Sequence, residues 1–134
     1  MRLLTVLDYN SGGNLIIFPM HPRTQKVYKS LSIEFANIFI TSPMSYLEFI
    51  YLIKKSMGVI TDSGGITEET TVLGVPCMTL RDSTERPETV TVGTNEIVGT
   101  DPDNIIPYLK KMSQVKEKEE SELWDGNTAD RIWM

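Results

Sequence analysis

A serine, two glycines and two glutamates fall within one short stretch, "TDSGGITEE", Thr61–Glu69. Their types suit phosphate and ribose chemistry. The start of a helix leaves backbone N–H groups unpaired and carries the positive end of the helix dipole. Adjacent glycines, here Gly64 and Gly65, let an anion approach that backbone closely. Ser63 adds a hydroxyl donor. Glu68 and Glu69 fall in the first turns of the helix that follows, where a carboxylate can accept both hydroxyls of a ribose. A plainer reading stands beside this one: Asp62 or Ser63 is simply an N-cap and the glycines make a tight turn. The stretch is not the usual P-loop, because no Gly-Lys-Ser/Thr follows.

Other residues carry weaker signals. His21, in "PMHPRT", is the only histidine, and a lone histidine is often structural or merely exposed. Tyr46 and Phe49 lie at core spacing on a helix, so packing is their default role. Arg86 sits in the loop "RDSTERPE" beside Glu85 and Glu88. There it reads as a surface ion pair unless a phosphate is near. The sequence shows no Ser/His/Asp set, no metal-ligand cluster and no closely spaced catalytic pair.

The elements that must position these residues follow from hydrophobic pattern and turn chemistry. Residues 2–9 predict a short helix with Leu3, Leu4 and Leu7 on one face, broken by "NSGG". Strands are predicted in "NLIIFPM", "IFITS", "GVITD", "PCMTLR" and "NEIVGT". Between them lie helices in "PRTQKVYKSLSIEFAN", with Val27, Leu31 and Phe35 as a stripe, in "YLEFIYLIKKS", and in "ITEETTVLG", closed by Gly74 as a C-cap. A short helix is expected in "ERPETVTVG", with Pro87 in its first turn. A further one follows Asp101 or Asp103, and "DGNTADRIWM" reads as a closing helix. The alternation of strands and helices is the βαβ pattern of a parallel sheet covered on both faces. In such sheets ligands bind at the carboxyl ends of the strands. For the third strand that end is the Ser-Gly-Gly turn.

Composition bounds the function. The chain has 134 residues, 40% hydrophobic and 23% charged, which suits one soluble globular domain. Its net charge of −5 gives no electrostatic case for nucleic acid or an anionic membrane. One cysteine, Cys77, excludes an internal disulfide and a cysteine-rich metal site and is compatible with the cytoplasm. No apolar run approaches the roughly 18 residues of a membrane span.

At this point the residues resemble a known family. "TDSGGITEE…LGVPCMTLRDSTERPETVTVGTNEIVGTD" is similar to the signature of the non-hydrolysing UDP-N-acetylglucosamine 2-epimerases. "FPMHPRT", "SPMSYLEF" and "WDGNTADRI" resemble other segments of that family, in its order. The hydrolysing relatives typically carry a different loop in place of "LRDSTERPE". The resemblance implies an α/β, Rossmann-like parallel sheet with helices on both faces. It matches the second, nucleotide-binding domain of a two-domain fold like that of one large glycosyltransferase class. Residues 1–134 would then be a partial C-terminal UDP-binding domain. Ser63, Gly64 and Gly65 are expected to hold the diphosphate, Glu69 the ribose and Phe49 the uracil. Arg86 is expected to face the diphosphate or sugar side of the cleft. His21 matches a cleft histidine that meets substrate or a regulatory UDP-sugar.

The implied activity is that of a cytoplasmic isomerase in cell-envelope polysaccharide synthesis. It interconverts UDP-N-acetylglucosamine (UDP-GlcNAc) and UDP-N-acetylmannosamine (UDP-ManNAc) by eliminating and re-adding UDP. No cofactor and no metal are implied, and the full-length family protein is expected to be a homodimer. The family's first domain, with its acid/base carboxylates, has no counterpart in these residues, so no catalytic residue is assigned. The first strand of the second domain is missing too. In the doubly wound order that strand is central, and two half-sheets with exposed edges are expected. The chain alone is therefore not expected to epimerise. A glycosyltransferase-type UDP-sugar domain and a non-catalytic UDP-sugar binding module, or subunit of a split enzyme, remain as alternatives.

Overall fold

The computed structural model describes residues 2–112. The expected closing helix in "DGNTADRIWM" and the charge run before it lie outside these residues. The chain divides within one helix into two compact units, Met1–Phe49 and Ile50–Met134, each described by itself.

The first unit opens with α1 (Arg2–Asn10), which buries Leu7. Gly12 and Gly13 follow at φ 62° and 83°, left-handed values that glycine adopts without a Cβ penalty. The Asp8 carboxylate accepts from the backbone N–H of Asn37 at 2.7 Å, tying α1 to the entry of the second strand. β1 (Ile16–Pro19) and β2 (Ile38–Thr41) pair in parallel, Ile16 opposite Ile38. Between them lies α2 (Pro22–Ser30), with Pro22 in its first turn and His21 as its N-cap. The Gln25 amide donates to the Met20 and Thr41 carbonyls, closing the carboxyl ends of both strands.

The expected stripe of Val27, Leu31 and Phe35 does not form. α2 stops at Ser30, Ser32 turns to φ 50°, and Val27 and Leu31 are exposed. Phe35 folds back instead and its ring stacks on Tyr28 at 6.2 Å. The next helix, α3 (Tyr46–Lys55), crosses from one unit to the next. Its Tyr46 is 65% exposed, so the expectation of core packing fails for that residue.

The second unit is a three-stranded parallel sheet in the order β3 (Val59–Thr61), β4 (Cys77–Thr79), β5 (Asn95–Ile97). All three residues of β4 are buried, as a central parallel strand requires. α4 (Gly64–Leu73) packs against all three strands. It begins at Gly64, two residues before the predicted start, and closes on Gly74 at φ 70°. The face it buries is made of threonines: Thr67, Thr70 and Thr71. Their hydroxyls donate to the carbonyls of Gly64 and Thr67 three or four residues back, so the buried oxygens are satisfied. Such short side chains bring the helix close to the sheet.

α5 (Glu88–Thr91) follows Pro87, which stands at its N-cap and not inside its first turn. Asp101 caps the 3-10 turn Pro102–Asn104 through the Asp103 N–H, and α6 (Ile105–Met112) completes the described chain. Ile53, Val75, Cys77, Met78, Val98 and Ile105 form the core of this unit. The described chain thus holds two parallel sheets, of two and three strands. Among the described residues no helix is long and apolar enough to cross a membrane.

Candidate functional site

Thr61 ends β3 and is buried. Its hydroxyl accepts from the Ser63 N–H at 3.0 Å, which turns the chain sharply off the sheet. Ser63 then takes the N-cap position of α4 with extended backbone, φ −91° and ψ 124°, but its side chain caps nothing. The plain N-cap reading therefore holds for the backbone of Ser63 and not for its hydroxyl. That hydroxyl is left at an exposed helix start.

The two glycines are the first residues of the helix. Neither has the positive φ that would call for glycine. A Cβ on Gly65 would meet nothing nearer than 4.0 Å, and one on Gly64 would meet the Glu85 carboxylate at 3.4 Å, an ordinary contact. Neither conformation nor packing asks for glycine here. In a helix, glycine costs about 0.5–1 kcal/mol relative to alanine. What glycine does supply is bare backbone at the positive end of a helix dipole.

Above this turn lies the loop Arg81–Pro87. Its ion pairs differ from the expected ones. Glu85 is taken by Arg81, in a two-pronged contact at 2.7 and 3.1 Å. The Arg81 hydrogen bonds hold the Glu85 carboxyl below its ordinary range. Arg86 pairs instead through its Nε with Glu68 on α4, because the fold sets the loop against the first turns of that helix. Both members of the pair are partly exposed, so its worth in stability is small. Its consequence is placement: a guanidinium is held against α4 at Glu68, in the helix's second turn. Glu69 is half-buried on the same helix.

In the second unit Ser63, Gly64 and Gly65 form the start of α4, Glu69 lies in the turns that follow, and Arg86 is joined to the same helix at Glu68. Phe49 and His21 belong to the first unit. Phe49 is half-buried on α3, and its N–H donates to the Ser45 carbonyl at 3.0 Å. His21 is exposed and its Nδ1 accepts from the Arg23 N–H at 3.3 Å, capping α2. Sequence reasoning missed that cap, since histidine is not among the preferred capping residues. It also missed Glu68 as the partner of Arg86, which no local spacing announces. Among the described residues no group of three or more His, Cys, Asp or Glu side chains is placed to hold a metal ion.

A parallel α/β sheet with a glycine turn between a strand's carboxyl end and a helix start is the architecture of Rossmann-like nucleotide-binding proteins. The comparisons with known proteins are narrower. A family model described as UDP-N-acetylglucosamine 2-epimerase matches residues 1–134. The UDP-N-acetylglucosamine 2-epimerase of Methanococcus maripaludis is 44% identical over 122 residues, which cover 87% of this chain and 33% of that protein. The enzyme of the same name from Campylobacter jejuni is 40% identical, covering 96% of this chain and 36% of the relative. A crystal structure of the Methanocaldococcus jannaschii UDP-GlcNAc 2-epimerase in complex with UDP-GlcNAc and UDP superposes with a TM-score of 0.81 at 37% identity. That match covers 98% of this chain and 37% of that one. The chain belongs to the UDP-N-acetylglucosamine 2-epimerase family, and it spans about a third of the length of these curated relatives.

Proposed function

We propose that this chain is the C-terminal, UDP-binding part of a UDP-GlcNAc 2-epimerase, an isomerase that interconverts UDP-GlcNAc and UDP-ManNAc. The observation that carries this reading is the pair Gly64–Gly65 at the start of α4, where the protein's own structure has no need of glycine. A diphosphate needs that bare backbone. Ser63, Gly64 and Gly65 hold the diphosphate, and Glu69 accepts the ribose hydroxyls. Phe49 lies against the uracil. Arg86 serves the diphosphate or the sugar, and His21 meets the substrate or a regulatory UDP-sugar. Family membership and the M. jannaschii enzyme's complex with UDP-GlcNAc and UDP support these roles.

In the proposed reaction a base removes the proton at C2 of the sugar and the C1–O bond breaks, releasing UDP and leaving a glycal. UDP adds back at C1 after C2 is reprotonated from the other face. Negative charge grows on the departing diphosphate. The helix start and Arg86 are preorganised to stabilise that charge as it develops, which is how such groups accelerate reactions. No base for C2 is assigned among the 134 residues, so the chain alone binds UDP without epimerising. We further place the reaction in the cytoplasm, in cell-envelope polysaccharide synthesis, with the full-length protein a homodimer. These last points rest on family resemblance.

Calorimetric titration of UDP into the chain tests the reading. Wild type is expected to bind, and Glu69→Ala to weaken binding by about tenfold or more, the loss of a charge-assisted ribose contact. Equal affinity of the two proteins would remove Glu69 from the site.

A further inference from the structure

Arg86 is held from beneath by buried polar side chains that the UDP reading does not use. Thr79 on β4, Asn95 on β5 and Thr89 on α5 are 1%, 0% and 0% exposed. The Thr79 hydroxyl donates to the Asn95 carboxamide oxygen at 2.6 Å. The Asn95 amide donates to the Thr89 hydroxyl at 3.2 Å. The Thr89 hydroxyl donates to the Arg86 carbonyl oxygen at 2.7 Å, and the Thr89 backbone N–H reaches the same oxygen at 3.1 Å.

The direction of the whole chain is set by its last member. A carbonyl only accepts, so the Thr89 hydroxyl gives Arg86 its one proton. It must then accept from Asn95, which turns its NH2 toward Thr89 and its oxygen toward Thr79. Thr79 has to donate. Three buried side chains from three elements therefore have one mutually satisfied arrangement, and it ends on the main chain of Arg86. Apolar residues of the same shape would pack this space at little cost. A satisfied polar chain adds a unique geometry, which an apolar filling lacks. A second contact closes the arrangement. A Cβ on Gly93 would lie 2.6 Å from the Thr71 hydroxyl oxygen of α4, so the segment after α5 is pressed against the helix that presents the glycine turn. Above, the Arg86 side chain reaches Glu68 on that helix.

We propose that Thr79, Asn95 and Thr89 are positioning residues for Arg86. They fix its main chain so that the guanidinium is held against α4 near its start, where an anionic ligand meets it. This rests on the reading of that helix start as the UDP site.

The test uses the full chain and four variants: Thr89→Val, Thr89→Ser, Arg86→Ala and the double variant Arg86→Ala/Thr89→Val. Thr89→Val keeps the shape and removes the hydroxyl, and it is expected to weaken UDP binding by about fivefold or more. Thr89→Ser restores the hydroxyl and is expected to restore affinity. In the Arg86→Ala background, Thr89→Val is expected to add less than about twofold. Equal losses in both backgrounds would show a merely structural effect and overturn the proposal, as would wild-type affinity in Thr89→Val. If Thr89→Val does not fold, Thr79→Val, three links from Arg86, carries the same expectation.

A ligand-free readout separates this proposal from the UDP reading. The Arg86 Nε–H resonance is expected to exchange slowly in wild type and Thr89→Ser, and faster in Thr89→Val. A wild type that does not bind UDP defeats the UDP reading alone. An Nε–H signal unchanged in Thr89→Val defeats the positioning role whatever UDP does.

Discussion

The residues around the glycine turn separate by how far their causes reach. The Ser63-Gly64-Gly65 turn was legible in sequence because its causes are local: a strand end, a turn and a helix start in consecutive residues. Arg86 was legible as a charge and not as a geometry. Its neighbours Glu85 and Glu88 looked like its partners, yet Arg81 occupies Glu85, and the fold delivers Glu68 from α4. The Arg81–Glu85 pair has a measurable signature. A carboxyl whose folded pKa is depressed stabilises the fold above its unfolded value and loses that contribution as pH falls through the folded value. Glu85 is expected to titrate below the ordinary glutamate range, chiefly through its hydrogen bonds from Arg81, and Arg81→Ala to move it back toward that range. Side-chain carboxyl chemical shifts followed against pH check this, and an unshifted midpoint in wild type would contradict it. Cys77 behaves oppositely. Burial pushes its thiol up to about 11, and only thiolate is nucleophilic. Alkylation at neutral pH is therefore expected to be slow in the folded protein and fast in denaturant.

Elements were read well where a turn residue has one physical reason to be there, and poorly where only spacing spoke. Gly74 was expected to close α4 and does so at φ 70°, a value that disfavours any residue with a Cβ. Gly74→Ala is expected to cost about 1 kcal/mol. Gly93 announced nothing in the sequence, yet a Cβ there would collide with the Thr89 backbone oxygen and the Thr71 side chain. Backbone cannot give way as a flexible side chain can, so Gly93→Ala is expected to cost about 1–3 kcal/mol, as overpacking does. Denaturation midpoints of the two variants check both numbers and their order. The stripe of Val27, Leu31 and Phe35 misled because i, i+4 spacing does not say where a helix stops. α2 stops at Ser30 with Leu31 only its C-cap, and Val27 and Leu31 both face solvent. The threonine face of α4 escaped the opposite way. A hydrophobic pattern cannot flag a helix whose buried side is made of hydroxyls satisfied by their own helix.

At the scale of the molecule, the alternation of strand and helix was enough to name a parallel α/β fold. The strands are shorter than the sequence suggested, three or four residues each. Their pairing is parallel in both sheets, which is the feature that places loops and helix starts at the strands' carboxyl ends. What pattern alone leaves open is the ligand, because many functions share this fold. The family signature narrowed it, and the structure adds that the glycines answer to no internal need. Gly65→Ala tests that claim most directly, with thermal unfolding and UDP titration measured on the same protein. The account predicts a folded state as stable as wild type or stabilised by up to about 1 kcal/mol, since the added methyl has room and the helix gains propensity. It predicts UDP binding weaker by about tenfold or more, as the methyl stands where the diphosphate approaches. A variant that unfolds more easily while binding UDP as wild type does would make the glycines structural, and would contradict the reading of this turn as the nucleotide site.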